Sequence, residues 1–471
     1  MNKSTFVVDR KELLGGLTIG KALVHSTRIG PESIVRLRCR NKSDLTLEVT
    51  DHQVIYEWEI HPIEFQNDND TEQQLLLPLS TIPLIAKLHA DAVELILGED
   101  ELKITATEES KKAEYRIPRL QASFPQIHTP ENPQIKLVFS RPEHYWAIRA
   151  ALSALEPPEN TITLSTPLLS ALTIFRPPGS EAVVIAGVHR YRLAASSFPA
   201  TEIQGNETNP PYWVYIPYYA ATVISHGQKI LSALSTTQQE QQEREVIEKL
   251  EQEIEHYDTY EEDESLEELP PSSAPPIETV IEGQIVSSST SSTEATERVC
   301  SILSLTMTTK PPKGKKRLKI TVKCPAVDIG QPPKNYLDYV PPNYRYEATV
   351  QLETLKNCLE RLEKIGGGAP IAIRFDDTPP TLMLSTAGER GIAGNESLEV
   401  TIPGETPNYT VHVNPQLAIK ALKGVENLTR KEGTEKVTLR LGENPLGPLA
   451  IQPATSNSES ESVYLLMPMR T

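Results

Sequence analysis

The sequence predicts an α+β fold of three similar domains, and three observations carry that expectation. A short apolar strand, a polar break and an amphipathic helix recur six times. The 471 residues suffice for about three domains at roughly 150 residues each. Between the copies lie runs in which apolar and polar residues alternate, the mark of half-buried strands.

The copies start near Thr5 (TFVVDRKELLGGL), Leu75 (LLLPLSTIPLIAKL), Lys136 (KLVFSRPEHYWAIRAAL), Trp213 (WVYIPYYAATVIS), Tyr346 (YEATVQLETLKNCLERL) and Tyr409 (YTVHVNPQLAIKAL). A unit this short cannot bury its own apolar face, so the copies must associate through shared sheets. Taken in pairs they divide the chain at 1–130, 131–343 and 344–471. In the first division the Asp9 to Val24 helix precedes IVRLRCR, LTLEVTD and VIYEWEIHP; AVELILGEDELKITATEESKKAEYRIP then reads as strands with a hairpin at GED. In the second, TPLLSALTIF and AVVIAGVHRYRLAASSFP read as strands, with HRYRLAAS placing Arg190 and Arg192 on one face. The third ends in KVTLRLG, PLAIQP and VYLLMPM.

Net charge is −17, but residues 236–297 hold 18 acidic residues against two basic ones, leaving 45 acidic and 44 basic elsewhere. The body is therefore nearly neutral and compatible with a polyanionic partner. Within this acidic insert Val246, Leu250, Ile254 and Tyr257 have helical spacing, whereas Tyr257 to Thr296 is rich in Glu, Ser and Pro and reads as disordered. A basic cluster follows, Lys310, Lys313, Lys315, Lys316, Arg317 and Lys319, readable as a solvated hairpin tip or as a contact for phosphates or the acidic segment.

The start MNKSTFVVDRKE predicts no secretory or transit segment, and no apolar run reaches the ~20 residues of a membrane span. Cys39, Cys300, Cys324 and Cys358 stand too far apart for a metal or redox motif, so a reduced cytoplasmic setting is expected, with neither metal nor cofactor. GGLTIG and GGG lack the Lys-Ser/Thr of a phosphate loop, and no metalloprotease or nucleophile-elbow pattern occurs, which disfavours an enzyme.

Four local sequences are distinctive: FPQI at Phe124, YRLA at Tyr191 to Ala194, PKNYLDYVPPN from Pro333 to Asn343, and the terminal LLMPMR. In this order they resemble the bacterial β sliding clamp, the β subunit of DNA polymerase III, over nearly the whole chain outside the insert. The resemblance implies the DNA clamp fold: three domains of two half-repeats, helices inside and sheets outside a ring closed by two chains head to tail. It implies sequence-independent binding of double-stranded DNA, a clamp loader, and polymerases and repair proteins held through short peptides, with no catalytic role.

By the same resemblance the peptide pocket comprises Leu169, Val188, Arg190, Tyr191, Arg192, Leu193, Pro333, Asn414, Leu417, Pro448, Leu465, Leu466, Met467, Pro468, Met469 and Arg470. The DNA-facing set is Arg10, Lys21, Arg28, Lys87, Arg149, Lys356, Lys420 and Lys423, with Arg141 and Lys364 on the same helices. Several positions depart from the family pattern. Val188 stands for a usual Thr, Arg190 for a small residue, Asp338 for a common Arg and Leu417 for an aromatic, while HSTRIGPESIV replaces Leu-Pro-Ile-Leu. The expectation is a divergent clamp; the alternative is a clamp-fold peptide scaffold or specialised paralogue that does not encircle DNA.

Overall fold

A computed structural model describes residues 4–469 except 26–33, 40–44, 51–53, 68–71, 79–83, 86–87, 89, 109–110, 128, 131–132, 157–169, 178–179, 204–211, 236–276, 288–297, 310–316, 327–335, 342, 389–392 and 455–461. In chain order the elements begin β1 (Ser4–Asp9), α1 (Arg10–His25), β2 (Ile34–Cys39), β3 (Leu45–Thr50), β4 (Ile55–Ile60), β5 (Glu64–Asn67), β6 (Gln73–Pro78), β7 (Ala92–Leu97), β8 (Glu101–Glu108) and β9 (Lys111–Pro118). Next come β10 (Ile135–Phe139), α2 (Pro142–Ala154), β11 (Ala171–Arg176), β12 (Ala182–His189), β13 (Arg192–Pro199), β14 (Tyr212–Pro217), α3 (Tyr218–Ser235), β15 (Ile277–Ser287), β16 (Arg298–Thr309) and β17 (Lys319–Pro325). The last are β18 (Tyr346–Gln351), α4 (Leu352–Gly366), β19 (Ile371–Asp377), β20 (Pro380–Ala387), β21 (Ala393–Glu399), β22 (Val411–Val413), α5 (Pro415–Glu432), β23 (Lys436–Leu441), β24 (Leu449–Pro453) and β25 (Ser462–Leu466).

Five of the six strand-helix copies appear as β1-α1, β10-α2, β14-α3, β18-α4 and β22-α5. Of the Leu75 copy, the strand is β6 and the helix falls largely outside the described residues, with Ile85 and Leu88 buried. The helices obey local rules. Asp9 accepts the Lys11 N–H at 2.7 Å at the start of α1. Asn414 accepts the Leu417 N–H at 3.1 Å ahead of Pro415. Gly367 and Gly433 close α4 and α5 at positive φ, 59° and 67°. Leu352, Leu355, Leu359 and Leu362 recur at three- and four-residue spacing and bury one face of α4.

One pairing rule recurs three times. The strand before the first helix of a pair joins, antiparallel, the strand after the second helix: β1 with β7, β10 with β15, β18 with β23. The strand after the first helix joins, also antiparallel, the strand before the second: β2 with β6, β11 with β14, β19 with β22. The two halves of each pair thus exchange strands, and in the first and third pairs the two exchanges lie in different sheets.

The chain folds as two compact units. The first holds Met1–Arg141, Thr222–Gln284 and Ser301–Pro325; the second holds Pro142–Ala221, Ile285–Cys300 and Ala326–Thr471. In the first, a sheet ordered β5-β1-β7-β8-β9 accompanies β17-β4-β3-β2-β6, on which α1 lies. The helix comes so close that a Cβ on Gly16 would meet Trp58 at 2.8 Å. In the second, β18-β23-β24-β25-β13-β12-β11-β14 accompanies β21-β20-β19-β22, and α2 packs against α5.

Two sequence expectations need correction. HRYRLAAS is not one strand: β12 ends at His189, the chain turns at Arg190 and Tyr191, and His189 pairs with Arg192. The turn carries neither Gly nor Asn, so the usual hairpin signal was missing. The acidic insert is also not structureless throughout, because Ile277–Ser287 is β15, in register with β10 from Ile135↔Gly283 to Phe139↔Thr279. Thr279, Ile281 and Gly283 are its buried face; the flanking Glu278 and Glu282 had masked that alternation in the composition. Residues 236–276 and 288–297, including the expected helix, lie outside the described residues. So do Lys310, Lys313, Lys315 and Lys316; Arg317 bonds Thr308 at 3.2 Å across the β16-β17 hairpin, and Lys319 pairs with Glu59 of the neighbouring β4 at 2.5 Å.

Candidate functional site

In the second unit the sheet face turned away from α2 carries a continuous apolar surface. Strand alternation fixes the sides. Gly187 lies against α2, where a Cβ would meet the Ala151 carbonyl oxygen at 1.9 Å, so its neighbours Ala186 and Val188 point the other way. There Val184, Ala186, Leu193, Ala195, Ala450, Val463 and Leu465 form one buried cluster with Phe175 and Tyr336. Val188, Val340 and Tyr344 pack on it while staying partly exposed. Tyr336 comes from the expected tyrosine-proline linker; its ring meets Phe175 edge-on at 5.6 Å, and burial pushes its phenol well above the usual range. Tyr336 and Val340 lie in the linker singled out from sequence, but neither they nor Tyr344, just beyond it, were named as pocket residues. Their only signal was the linker's aromatic content.

The C-terminal strand locks onto this surface. β25 lies between β24 and β13, with Arg192↔Leu466 and Leu193↔Leu465 in register. It ends at Leu466 as Pro468 approaches, consistent with the missing donor of proline, although it is an interior strand and not an edge. The tail is then pinned twice: Met467 donates its N–H to the Tyr191 carbonyl at 2.9 Å, and Met469 to the His412 carbonyl at 2.7 Å. These bonds bring Tyr191, Met467, Met469 and the β22-α5 junction at Asn414 together. Tyr191 and Met467 are large apolar side chains left 50% and 40% exposed, and Leu446, shortly before Pro448, is 50% exposed. A flexible Met and an amphipathic Tyr over an apolar floor make a surface that adapts to short apolar segments.

The expected pocket residues separate into three groups. Leu193, Leu465 and Leu466 are buried and form floor and framework. Val188, Arg190, Tyr191, Asn414, Leu417, Pro448, Met467, Pro468 and Met469 reach solvent wholly or in part. Leu169, Pro333 and Arg470 lie outside the described residues. Arg192 needs correction as a contact residue. It is 2% exposed, and its guanidinium donates to the Ser153 and Leu155 carbonyls at 3.1 and 3.4 Å at the end of α2, beside Glu156 at 3.6 Å. It braces the hairpin from the helix side, satisfying the orphan carbonyls of a helix C-terminus. His189 joins the same carboxylate at 3.2 Å; burial holds its imidazole below the usual range, the Arg192 and Arg190 charges reinforce this, and Glu156 opposes it.

The first unit supplies an internal contrast. Across β2, β3 and β4 the face away from α1 is ionic. Glu48 is fully buried between Arg36 and Arg38. Lys323 pairs with Glu57 at 2.5 Å. Phe124 of the FPQI segment stacks on Arg36 at 3.8 Å. The same strand-helix scheme therefore presents charge in one unit and apolar surface in the other, so the apolar patch is a property of its residues and not of the fold.

The DNA-facing candidates also sort unevenly. Arg10 is 8% exposed, which withdraws it from an open helix face; it is the first residue of α1. Lys21 lies in α1 with its side chain outside the described residues, as are Arg28 and Lys87. Lys356 pairs with Glu426 at 3.2 Å; burial disfavours its charge, but that carboxylate prevails and holds the ammonium above the usual range. Lys420 is exposed and Lys423 partly so on α5. Arg149 and Arg430 stand 5.6 and 5.5 Å from the Trp146 ring, and burial with the Arg149 charge lowers the Arg430 affinity for its proton. Among the described residues no group of three or more His, Cys, Asp or Glu side chains is placed to hold a metal, and no helix is long and apolar enough to cross a membrane.

No protein-family model matches the sequence, and no curated protein matches it. The likeness lies in the fold. The DNA polymerase III β subunit from Thermotoga maritima is 14% identical, with a TM-score of 0.65 over 99% of this chain and 100% of that one. The DNA polymerase sliding clamp from Pseudomonas aeruginosa is 15% identical, with a TM-score of 0.64 over 99% and 100%. The β subunit from DNA polymerase of Streptococcus pyogenes is 14% identical, with a TM-score of 0.63 over 99% and 100%.

Proposed function

We propose that this chain, which has the α+β clamp fold, is a DNA sliding clamp: a non-catalytic processivity factor, made of three similar domains, that encircles duplex DNA in the cytoplasm and tethers polymerases and repair proteins through short peptides. The observation that carries the reading is the combination of a pairing rule repeated three times with one apolar, Tyr- and Met-rimmed surface at the C-terminal strand. The repetition builds a framework from equivalent modules. The surface gives that framework a place to hold a partner.

Ring closure needs two copies, and the sheet edges favour it. Among the described residues β9 pairs only with β8, and β21 only with β20. β9 carries Lys112 and Arg116 against Glu114, whereas β21 carries Glu396 and Glu399 and no base. Opposite charge on two open edges suits head-to-tail pairing, the heterologous contact that closes a ring of two copies. A closed ring needs only weak phosphate contacts, because non-specific binding with Kd of order 10⁻⁴ to 10⁻⁶ M is replaced by topological retention. Lys420, Lys423 and Arg149 are the described cations suited to that role, with Lys21, Arg28 and Lys87 as further candidates. A clamp loader that opens the ring follows from the same reading.

The withdrawal of Arg10 and the pairing of Lys356 with Glu426 favour a second reading, a peptide-binding scaffold that does not enclose DNA. Sedimentation of the purified chain separates the two. A clamp sediments at twice the 52.3 kDa chain mass across the micromolar range; a scaffold stays at the single-chain mass.

A further inference from the structure

The rim of the apolar surface carries one feature that apolar anchoring does not use. Arg190 sits exposed at the tip of the two-residue turn between β12 and β13. The turn is held in place: Tyr191 accepts the Met467 N–H at 2.9 Å, and its ring meets His189 edge-on at 6.0 Å. On the inner side Arg192 is fastened to the α2 carbonyls. Arg190 therefore stands on a rigid base next to Tyr191 at the rim of the apolar surface, with its charge felt by His189. No carboxylate pairs with it among the described residues. The neighbouring carboxylate, Glu156, is engaged by His189 at 3.2 Å and Arg192 at 3.6 Å on the opposite side of the hairpin.

A planar guanidinium in this setting can bind a carboxylate through two parallel N–H donors, and the flanking apolar surface strengthens such a pair by excluding water. We infer that the pocket selects partner peptides in which an Asp or Glu accompanies the apolar anchor, with Arg190 as the residue that reads the acid. The inference rests on the peptide-pocket reading above and adds the charge chemistry of the partner. It also fits a nearly neutral chain body, since the selectivity comes from one placed cation and not from bulk charge.

The test uses the full chain and fluorescent decapeptides built around two adjacent leucines, with Asp, Asn or Lys placed in turn at each remaining position. Anisotropy titrations near physiological salt give the affinity ratios. At positions on one side of the leucines the Asp peptide binds about three- to fivefold tighter than its Asn counterpart, and the Lys peptide binds weakest. The Asp-to-Asn ratio falls to one in Arg190→Gln, and Lys overtakes Asp in Arg190→Glu. Equal binding of Asp and Asn peptides by the natural chain overturns the inference, as does an Asp preference that survives Arg190→Gln. If peptides bind and lose affinity in Tyr191→Ala but their charge is not read, only this inference fails. If no peptide binds, the pocket reading fails with it.

Discussion

At the residue scale, two glycines and a histidine set how tightly the second unit is assembled. A Cβ on Gly424 would meet Ser153 Oγ at 2.2 Å and Tyr464 at 2.5 Å, and one on Gly187 would strike the Ala151 carbonyl. Gly424→Ala is expected to destabilise by about 1 to 3 kcal/mol through overpacking. Gly187→Ala should cost more, because its obstacle is backbone and cannot rotate away. Urea unfolding midpoints measure both. His189 gives a pH dependence whose sign follows from its environment. Its folded-state pKa lies below the unfolded value of about 6.5, so on acidification the unfolded chain takes up the proton first and stability falls below that pH. Replacing His189 by Gln should flatten the slope of stability against pH in that window, read as the unfolding midpoint between about pH 7 and 5; an unchanged slope removes the assignment. Side-chain roles of this kind were the least legible in the sequence. Leu465 to Met469 stood out through their terminal run, but nothing in HRYR distinguished Arg190, which faces solvent, from Arg192, which caps a helix. A turn lacking Gly or Asn hid the reversal between them.

At the element scale the repeating strand-helix unit was readable because each copy changes period, from two in the strand to near four in the helix. Element ends were readable where capping residues occur, as at Asn414 and Gly433. β15 was not, since four of its features oppose the usual strand signals: two Glu, a Gly and a position at the end of a Glu- and Pro-rich run. What makes it a strand is pairing with β10 and β16, with Leu137 and Phe139 of β10 buried beside it. Residues 236–276 connect α3 to β15, whereas the equivalent connection between α5 and β23 is only residues 433–435. Replacing 236–276 with a short Gly-Ser linker is therefore expected to leave the thermal midpoint of the chain within a few degrees. Extending the deletion through Ile281 should lower it sharply by stripping β10 of its partner. Calorimetry of the two deletions distinguishes them, and equal loss in both contradicts the placement of β15.

At the scale of the whole molecule, the likeness to known clamps rests on pairing and length at 14–15% identity, so the individual contacts belong to this chain. The ionic sheet face of the first unit follows from the charged alternate positions of IVRLRC, LTLEVT and IYEWEI, and the apolar face of the second from AVVIAGVH; only the register shows Glu48 enclosed by two arginines and Val188 open to solvent. If the exposed α5 cations face DNA, Lys420→Glu with Lys423→Glu should weaken binding of short duplexes about tenfold at low salt while leaving the oligomer mass unchanged, measured by fluorescence titration and sedimentation. The most direct measurement of the central claim is topological. The chain is incubated with linear plasmid, over whose ends a ring threads without a loader, ligase then closes the DNA, the oligomer is closed with a bifunctional crosslinker, and the mixture is passed over a sizing column in about 1 M salt, where the Debye length of about 3 Å removes most electrostatic binding. A clamp co-elutes with the circle and is released when the plasmid is cut once. A chain that elutes alone from circular and linear DNA alike contradicts the account.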